Sequence, residues 1–264
     1  MTVVQLRDLT TIEEFEQVVS LERLVWGSTY DDVVPVPVFI ITVRRGAVLI
    51  GAFDGSGEMV GFVYSLAGLK HGRPMQWSHM LGVLDSHRNS GLGRLLKLEQ
   101  RRRTMAMGLD LVEWTFDPLQ ALNAHLNFHR LGVISREYEE NIYGESSSPL
   151  HRGSPTDRLV AEWWVQSPHV ETCLAKPGGP LDLRRLQAVA VNVTQPQEQW
   201  RSCDSFVLDR TEPVLTVEIP TGFTDMLARA PDLARDWRFA IRTIFNHYLG
   251  AGYTAVDFVL DRSA

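Results

Sequence analysis

Two side chains and one loop in this sequence have the types and spacing for chemistry. His79 and Glu113 each lie in an apolar run, Gln76 to Val83 and Leu111 to Phe116. An imidazole in such a place titrates near neutral pH, and a carboxyl there is pushed upward by loss of water. Each also has a plainer role. His79 would be a hydrogen-bonded core histidine, and Glu113 a solvent-facing residue of an alternating strand. Alternation groups Glu113 with Leu111 and Thr115 and leaves its side of the sheet open. Between the two runs, the loop from Asp85 ends in Arg88, Asn89, Ser90, Gly91, Leu92 and Gly93. A glycine turn that opens a helix presents unpaired backbone N–H groups at the positive end of the helix dipole, which suits a phosphate.

The kind of phosphate loop can be narrowed. No Gly-Lys-Ser/Thr follows Gly91 or Gly93, so the lysine and magnesium-binding hydroxyl of a P-loop are absent. A dinucleotide fingerprint needs a third glycine where Leu96 stands, and the loop after Val83 is long for its tight turn. Glu113, at a tempting distance for a ribose contact, falls inside the next strand.

The elements that must hold these residues follow from periodicity and turn formers. The spacing predicts a strand over 3–8, a helix over 11–26 with a capping box from Thr11 to Glu14, and a stop at Gly27. A short helix over 36–45 comes next. The runs 47–53 and 59–66 then form a hairpin around Asp54 to Glu58. A strand over 76–83 enters the glycine loop, a helix covers 91–107 with Leu92, Leu95 and Leu96 on the sheet, and a strand covers 109–116. A helix over 119–131 closed by Gly132, a strand over 133–143, a polar loop over 145–157 and a Trp-bearing strand over 159–165 complete a mixed α/β sheet. Turn formers over 166–180 place a domain boundary there, between a unit over 1–166 and a C-terminal α/β extension over 180–264. In the extension, strands are expected over 188–194, 206–208, 214–219 and 254–260, with an amphipathic helix over 232–249. A strand, that helix and the last strand imply a parallel crossover.

Composition limits the function classes. The chain has 264 residues, 44% hydrophobic and 22% charged, with a formal charge of −6. That is a globular composition, and its sign argues against a general nucleic-acid partner. Arg101, Arg102 and Arg103 are expected to be a solvated helix face. Cys173 and Cys203 are too few and too far apart for a disulfide framework or structural zinc. Neither an export signal nor a membrane span is legible, so a cytoplasmic location is expected and no membrane partner.

The pattern Arg-x-x-Gly-x-Gly, at Arg88, Gly91 and Gly93, resembles motif A of the GNAT superfamily of acyl-CoA-dependent N-acetyltransferases. The element order from residue 3 to 165 resembles that fold as well. Leu122 to Val133 resembles its helix after the fifth strand, which commonly ends in Tyr-x-x-x-Gly-Phe. The stretch Asn141 to Arg152 resembles a group of long members with about the length of this chain, some of which use succinyl-CoA on amino acids. The resemblance implies an α/β GNAT acyltransferase fold with a C-terminal extension, and acetyl-CoA or succinyl-CoA as co-substrate without a metal. It also implies a small-molecule amine or amino acid as acceptor and direct transfer in a ternary complex.

For the residues, the resemblance implies that Leu81, Gly82 and Val83 pair with pantetheine, and that Arg88, Asn89, Ser90, Gly91, Leu92, Gly93 and Arg94 hold the pyrophosphate, with Asn123 and Phe128 also at the coenzyme. His79 would accept the acceptor's proton, with Glu113 as the alternative base. Ser147, His151 and Arg152, in the long polar loop, would meet the acceptor or an anionic acyl chain, and Arg158 could do the same. The sequence departs from the family at Phe128, where the thiolate-protonating tyrosine is usual. An ideal helix puts His125 on the Phe128 face and turns Asn127 and His129 away. Three readings remain: the enzyme, a GNAT-like acyl-CoA-binding module without turnover, and a dinucleotide binder. The extension would cover the cleft, extend the sheet or form a homodimer contact.

Overall fold

The computed structural model describes residues 4–27, 32–144, 153–175 and 181–260. The chain divides into two compact units. One contains residues 1–114, 147–149 and 162–167, and the other residues 115–146, 150–161 and 168–264.

In the first unit the order is β1 (Gln5–Asp8), α1 (Ile12–Trp26), α2 (Val36–Val43), β2 (Val48–Phe53), β3 (Met59–Lys70), β4 (Arg73–Val83), α3 (Leu92–Ala106) and β5 (Leu111–Phe116). The expected sequence of elements is present. Thr11 and Glu14 form the capping box that starts α1, and Gly27, at φ 112°, ends it. Strands β1 to β4 are antiparallel neighbours in chain order, and β5 lies parallel beside β4. Strands β3 and β4 run longer than the expected 59–66 and 76–83 and form a hairpin that the sequence reading did not contain. It closes through His71 and Gly72, at φ 49° and 80°, the left-handed pair that a two-residue turn requires.

One face of this sheet carries α1 and α2, with Phe15, Val18, Leu21 and Phe39 packed on Leu49, Phe62, Tyr64 and Met80. The other face carries α3, whose Leu92 and Leu96 pack on Val48, Ile50, Ala52, Val60 and Val63. Leu95 does not join them. It is 47% exposed, because the buried stripe of α3 runs through Leu92, Leu96, Gln100 and Thr104, and Leu95 falls to its side.

In the second unit, Ala121–Ala124 is a short α-helix, α4, that continues as a π turn over His125–Arg130. Strand β6 is only Tyr138–Glu139 and pairs antiparallel with the start of β7 (Arg158–Trp164). The expected strand over 133–143 is thus mostly irregular. Ser135 spends its backbone on an isolated bridge with Ala255, and Asn141 turns the chain at φ 45°. Helix α5 (Pro168–Ala175) forms within the expected linker.

Further on come β8 (Val189–Ala190), β9 (Asn192–Gln197), β10 (Trp200–Phe206), β11 (Leu215–Thr216), α6 (Phe223–Arg229) and α7 (Pro231–Gly250). Strands β9 and β10 form a hairpin that the sequence reading did not foresee, since Pro196 interrupts its pattern. The parallel crossover after α7 is not formed. Among the described residues, 254–260 pair as a strand only through the Ser135 bridge, and the Asp257 carboxylate bonds His129 Nδ1 and the Phe258 N–H. The apolar side of α7 packs Trp237, Ile241 and Ile244 with Phe223 and Met226 of α6.

Candidate active site

Strand β4 carries the candidate site, and its pairing explains why. Along β3, Ser65 faces Ser78 and Tyr64 faces Met80. His79 is therefore the extra residue of a β-bulge, a device that bends a strand and re-aims a side chain. On the other side, β4 pairs with β5 only at Gln76–Val112 and Trp77–Glu113. Beyond those pairs, among the described residues, the edge of β4 from Ser78 to Val83 has no strand beside it. Its N–H and C=O groups are available to another extended chain. Leu81, Gly82 and Val83 lie on that stretch.

The chain then makes a 3-10 turn over Asp85–His87 and enters α3 through Asn89, at φ 59°, and Gly91, at φ 87°. Gly91 is the N-cap of α3 and no side chain caps the helix. Its first N–H groups are therefore free to hold an anion. The two glycines do different things. A side chain at Gly91 would meet open space, but the positive φ disfavours it. Gly93 has no such φ, and a Cβ there would lie 3.6 Å from Leu81 Cδ2, an ordinary contact. The protein itself therefore does not require glycine at 93, whereas a ligand approaching the backbone would.

Around this cradle, Arg88 pairs with Asp85 at 2.9 Å, and Ser90 Oγ donates to the His87 carbonyl at 2.6 Å. Leu92 is buried in the α3 face. Arg94 Nε is buried and, among the described residues, has no hydrogen-bond partner. An uncapped fifteen-residue helix, an orphaned guanidinium N–H and open space over Gly91 together fit a pyrophosphate.

His79 is exposed on the bulge, its ring edge-on to Tyr64 with centroids 6.1 Å apart. Surrounding protein lowers its pKa below the ordinary imidazole value by desolvation, which favours the neutral, proton-accepting ring. Glu113 is buried at the last paired position of β5, and its carboxylate is ion-paired with Lys70. Lys70 Nζ also lies 3.6 Å from Glu162.

In the second unit, Phe128 is buried with its ring against Phe116, centroids 5.5 Å apart. Asn127 is buried as well, and its side chain reaches Asn123 at 3.5 Å. The segment from His125 to Arg130 is a π turn, and His125 stacks on His129 with ring centroids 4.9 Å apart. Arg158 lies over the Tyr143 ring at 5.5 Å. Ser147, His151 and Arg152 lie outside the described residues.

Sequence reasoning missed two buried groups of the first unit. Lys97 points from α3 towards β4 and β5, and Glu22 of α1 accepts the Val34 N–H at 2.9 Å. Both stand among apolar positions of their helices, where the sequence alone reads a polar residue as the rim of the polar face.

No family model matches the chain, and no curated protein matches it. Solved structures do. The chain is similar to the ribosomal-protein-S18-alanine N-acetyltransferase from Escherichia coli, with 13% identity and a TM-score of 0.50 over 62% of this chain and 96% of that one. It is similar to an acetyltransferase of the GNAT family from Streptococcus pneumoniae, with 16% identity and a TM-score of 0.50 over 61% and 98%. The mixed sheet and its helices are thus a GNAT acetyltransferase fold.

Proposed function

We propose that the chain is an acyl-CoA-dependent N-acyltransferase that acts on the amine of a small molecule or amino acid. The observation that supports this most is the unpaired edge of β4 leading directly into the uncapped helix at Gly91 and Gly93. Leu81 to Val83 would pair with the pantetheine amides, and Arg88 to Arg94 would hold the pyrophosphate. The bound acyl-CoA supplies a thioester whose carbonyl carbon takes the amine's lone pair as the C–S bond breaks. His79, neutral at pH 7, would accept the proton that the ammonium must lose before it can attack. A backbone N–H near Leu81 would stabilise the charge growing on the carbonyl oxygen.

The thiolate leaves without needing a protonated side chain at Phe128, since a thiol's pKa is within reach of neutral pH. Phe128 and its burial against Phe116 nevertheless favour a second reading, an acyl-CoA-binding module without turnover. Release of free thiol from acetyl-CoA or succinyl-CoA, assayed with a broad set of amines and amino acids, distinguishes them. Thiol released only when amine is present supports transfer; binding without release supports the module.

A further inference from the structure

The point where β4 leaves β5 contains a buried amine that the reading above does not use. Lys97 is 4% exposed. Its Nζ donates to Ser78 Oγ at 3.0 Å and to Gln100 Oε1 at 3.1 Å, and lies 3.4 Å from the centroid of the Trp114 ring. Gln100 Nε2 donates to the same Ser78 oxygen at 3.0 Å. Ser78 is the first residue of β4 past its last pair with β5, at Trp77, and it precedes the bulged His79. Trp114 follows Glu113, the last paired position of β5. One nitrogen therefore touches both strands where their pairing stops.

A lysine is a costly filling for that place. Burial drives its pKa well down, and an apolar side chain of similar volume would pack there without the desolvation penalty. What a methyl group cannot supply is direction. Two hydrogen bonds and an aromatic face fix the nitrogen, and through it the separation of Ser78 from Trp114. We propose that Lys97 is a positioning residue for the acyl-CoA site, setting the width of the β4–β5 fork so that the unpaired edge of β4 stays aligned for the thioester arm. The inference rests on the acyl-CoA reading of that edge.

The test compares the full chain with Lys97→Met, Ser78→Ala and the double variant. Acetyl-CoA and ADP are titrated by calorimetry, and Tm is read by circular dichroism. ADP carries the pyrophosphate but no thioester arm, so it reports on the loop alone. The expected result is a loss of acetyl-CoA affinity of about tenfold or more in Lys97→Met, with ADP affinity and Tm retained. The double variant should be no worse than Lys97→Met, because both changes break one link.

Equal loss for both ligands would mean general loosening and would overturn the positioning role. So would full acetyl-CoA affinity in Lys97→Met. If Lys97→Met does not fold, Ser78→Ala decides, supporting the role if it weakens acetyl-CoA but not ADP and overturning it otherwise. A wild-type chain that binds no acetyl-CoA overturns the acyl-CoA reading itself, a result separate from these.

Discussion

Neighbouring residues of the candidate site should lose different functions when changed. His79 stands on a bulge with its pKa lowered by desolvation. His79→Ala should reduce kcat by roughly 100-fold at neutral pH while leaving acetyl-CoA affinity intact. Unchanged turnover would remove His79 from the chemistry. Gly93→Val should do the reverse. It needs no positive φ and meets only Leu81, so the fold should survive while acetyl-CoA affinity falls by about tenfold or more. Retained affinity, measured by calorimetry, would contradict the cradle. His79 and the Arg-x-x-Gly-x-Gly loop were singled out as candidates from residue types and spacing. Lys97 and Glu22 were not, because a polar residue inside a helical stripe reads as an edge of the polar face until packing closes over it.

At the scale of elements, Glu22 ties α1 to the chain just before α2 through Val34. Its carboxyl is fully buried, accepts one N–H from Val34, leaves Oε1 without a partner, and is pushed up to about 7 chiefly by desolvation. Between the ordinary glutamate pKa near 4.3 and about 7, the unfolded chain has lost this proton and the folded chain keeps it. Glu22 therefore lowers stability as pH rises through that window, and its effect is constant above it. Glu22→Gln, neutral at every pH, should raise Tm at pH 8 and leave it nearly unchanged at pH 4. An equal shift at both pH values would show that the carboxyl does not titrate in this way.

The elements themselves were mostly legible. Capping residues, alternation and glycine stops marked α1, α2, β2, β3, β4, α3 and β5 in order. Departures occur where tertiary contacts outweigh local pattern. Residues 254–260 alternate like a strand, yet Asp257 is committed to His129. The helix through Phe128 carries no sequence mark of its π turn.

At the scale of the whole chain, each unit has its own core, and the second is tied together by buried ion pairs. Arg238, 1% exposed, forms a bidentate pair with Asp117 at 2.8 and 2.7 Å. Arg242 does the same with Asp157 at 2.9 and 2.7 Å, and Tyr138 donates its hydroxyl to Asp157. Asp117→Ala leaves a buried guanidinium without its partner and should destabilise this unit by about 3–5 kcal/mol. The paired change Asp117→Leu with Arg238→Met should cost far less, since neither charge remains. Urea denaturation of both variants checks this, and equal losses would contradict it. No local pattern announces these pairs, because their partners are separated by 121 and 85 positions.

The central claim is that the unpaired edge of β4 and the glycine cradle before α3 receive an acyl-CoA. Calorimetric titration of the folded chain with acetyl-CoA, succinyl-CoA and NAD in parallel tests it most directly. Saturable binding of at least one acyl-CoA and none of NAD is the expected result. Absence of binding by both acyl-CoA compounds, in a sample with a cooperative melt, would contradict it and leave the loop from Asp85 to Gly93 as a helix entry alone.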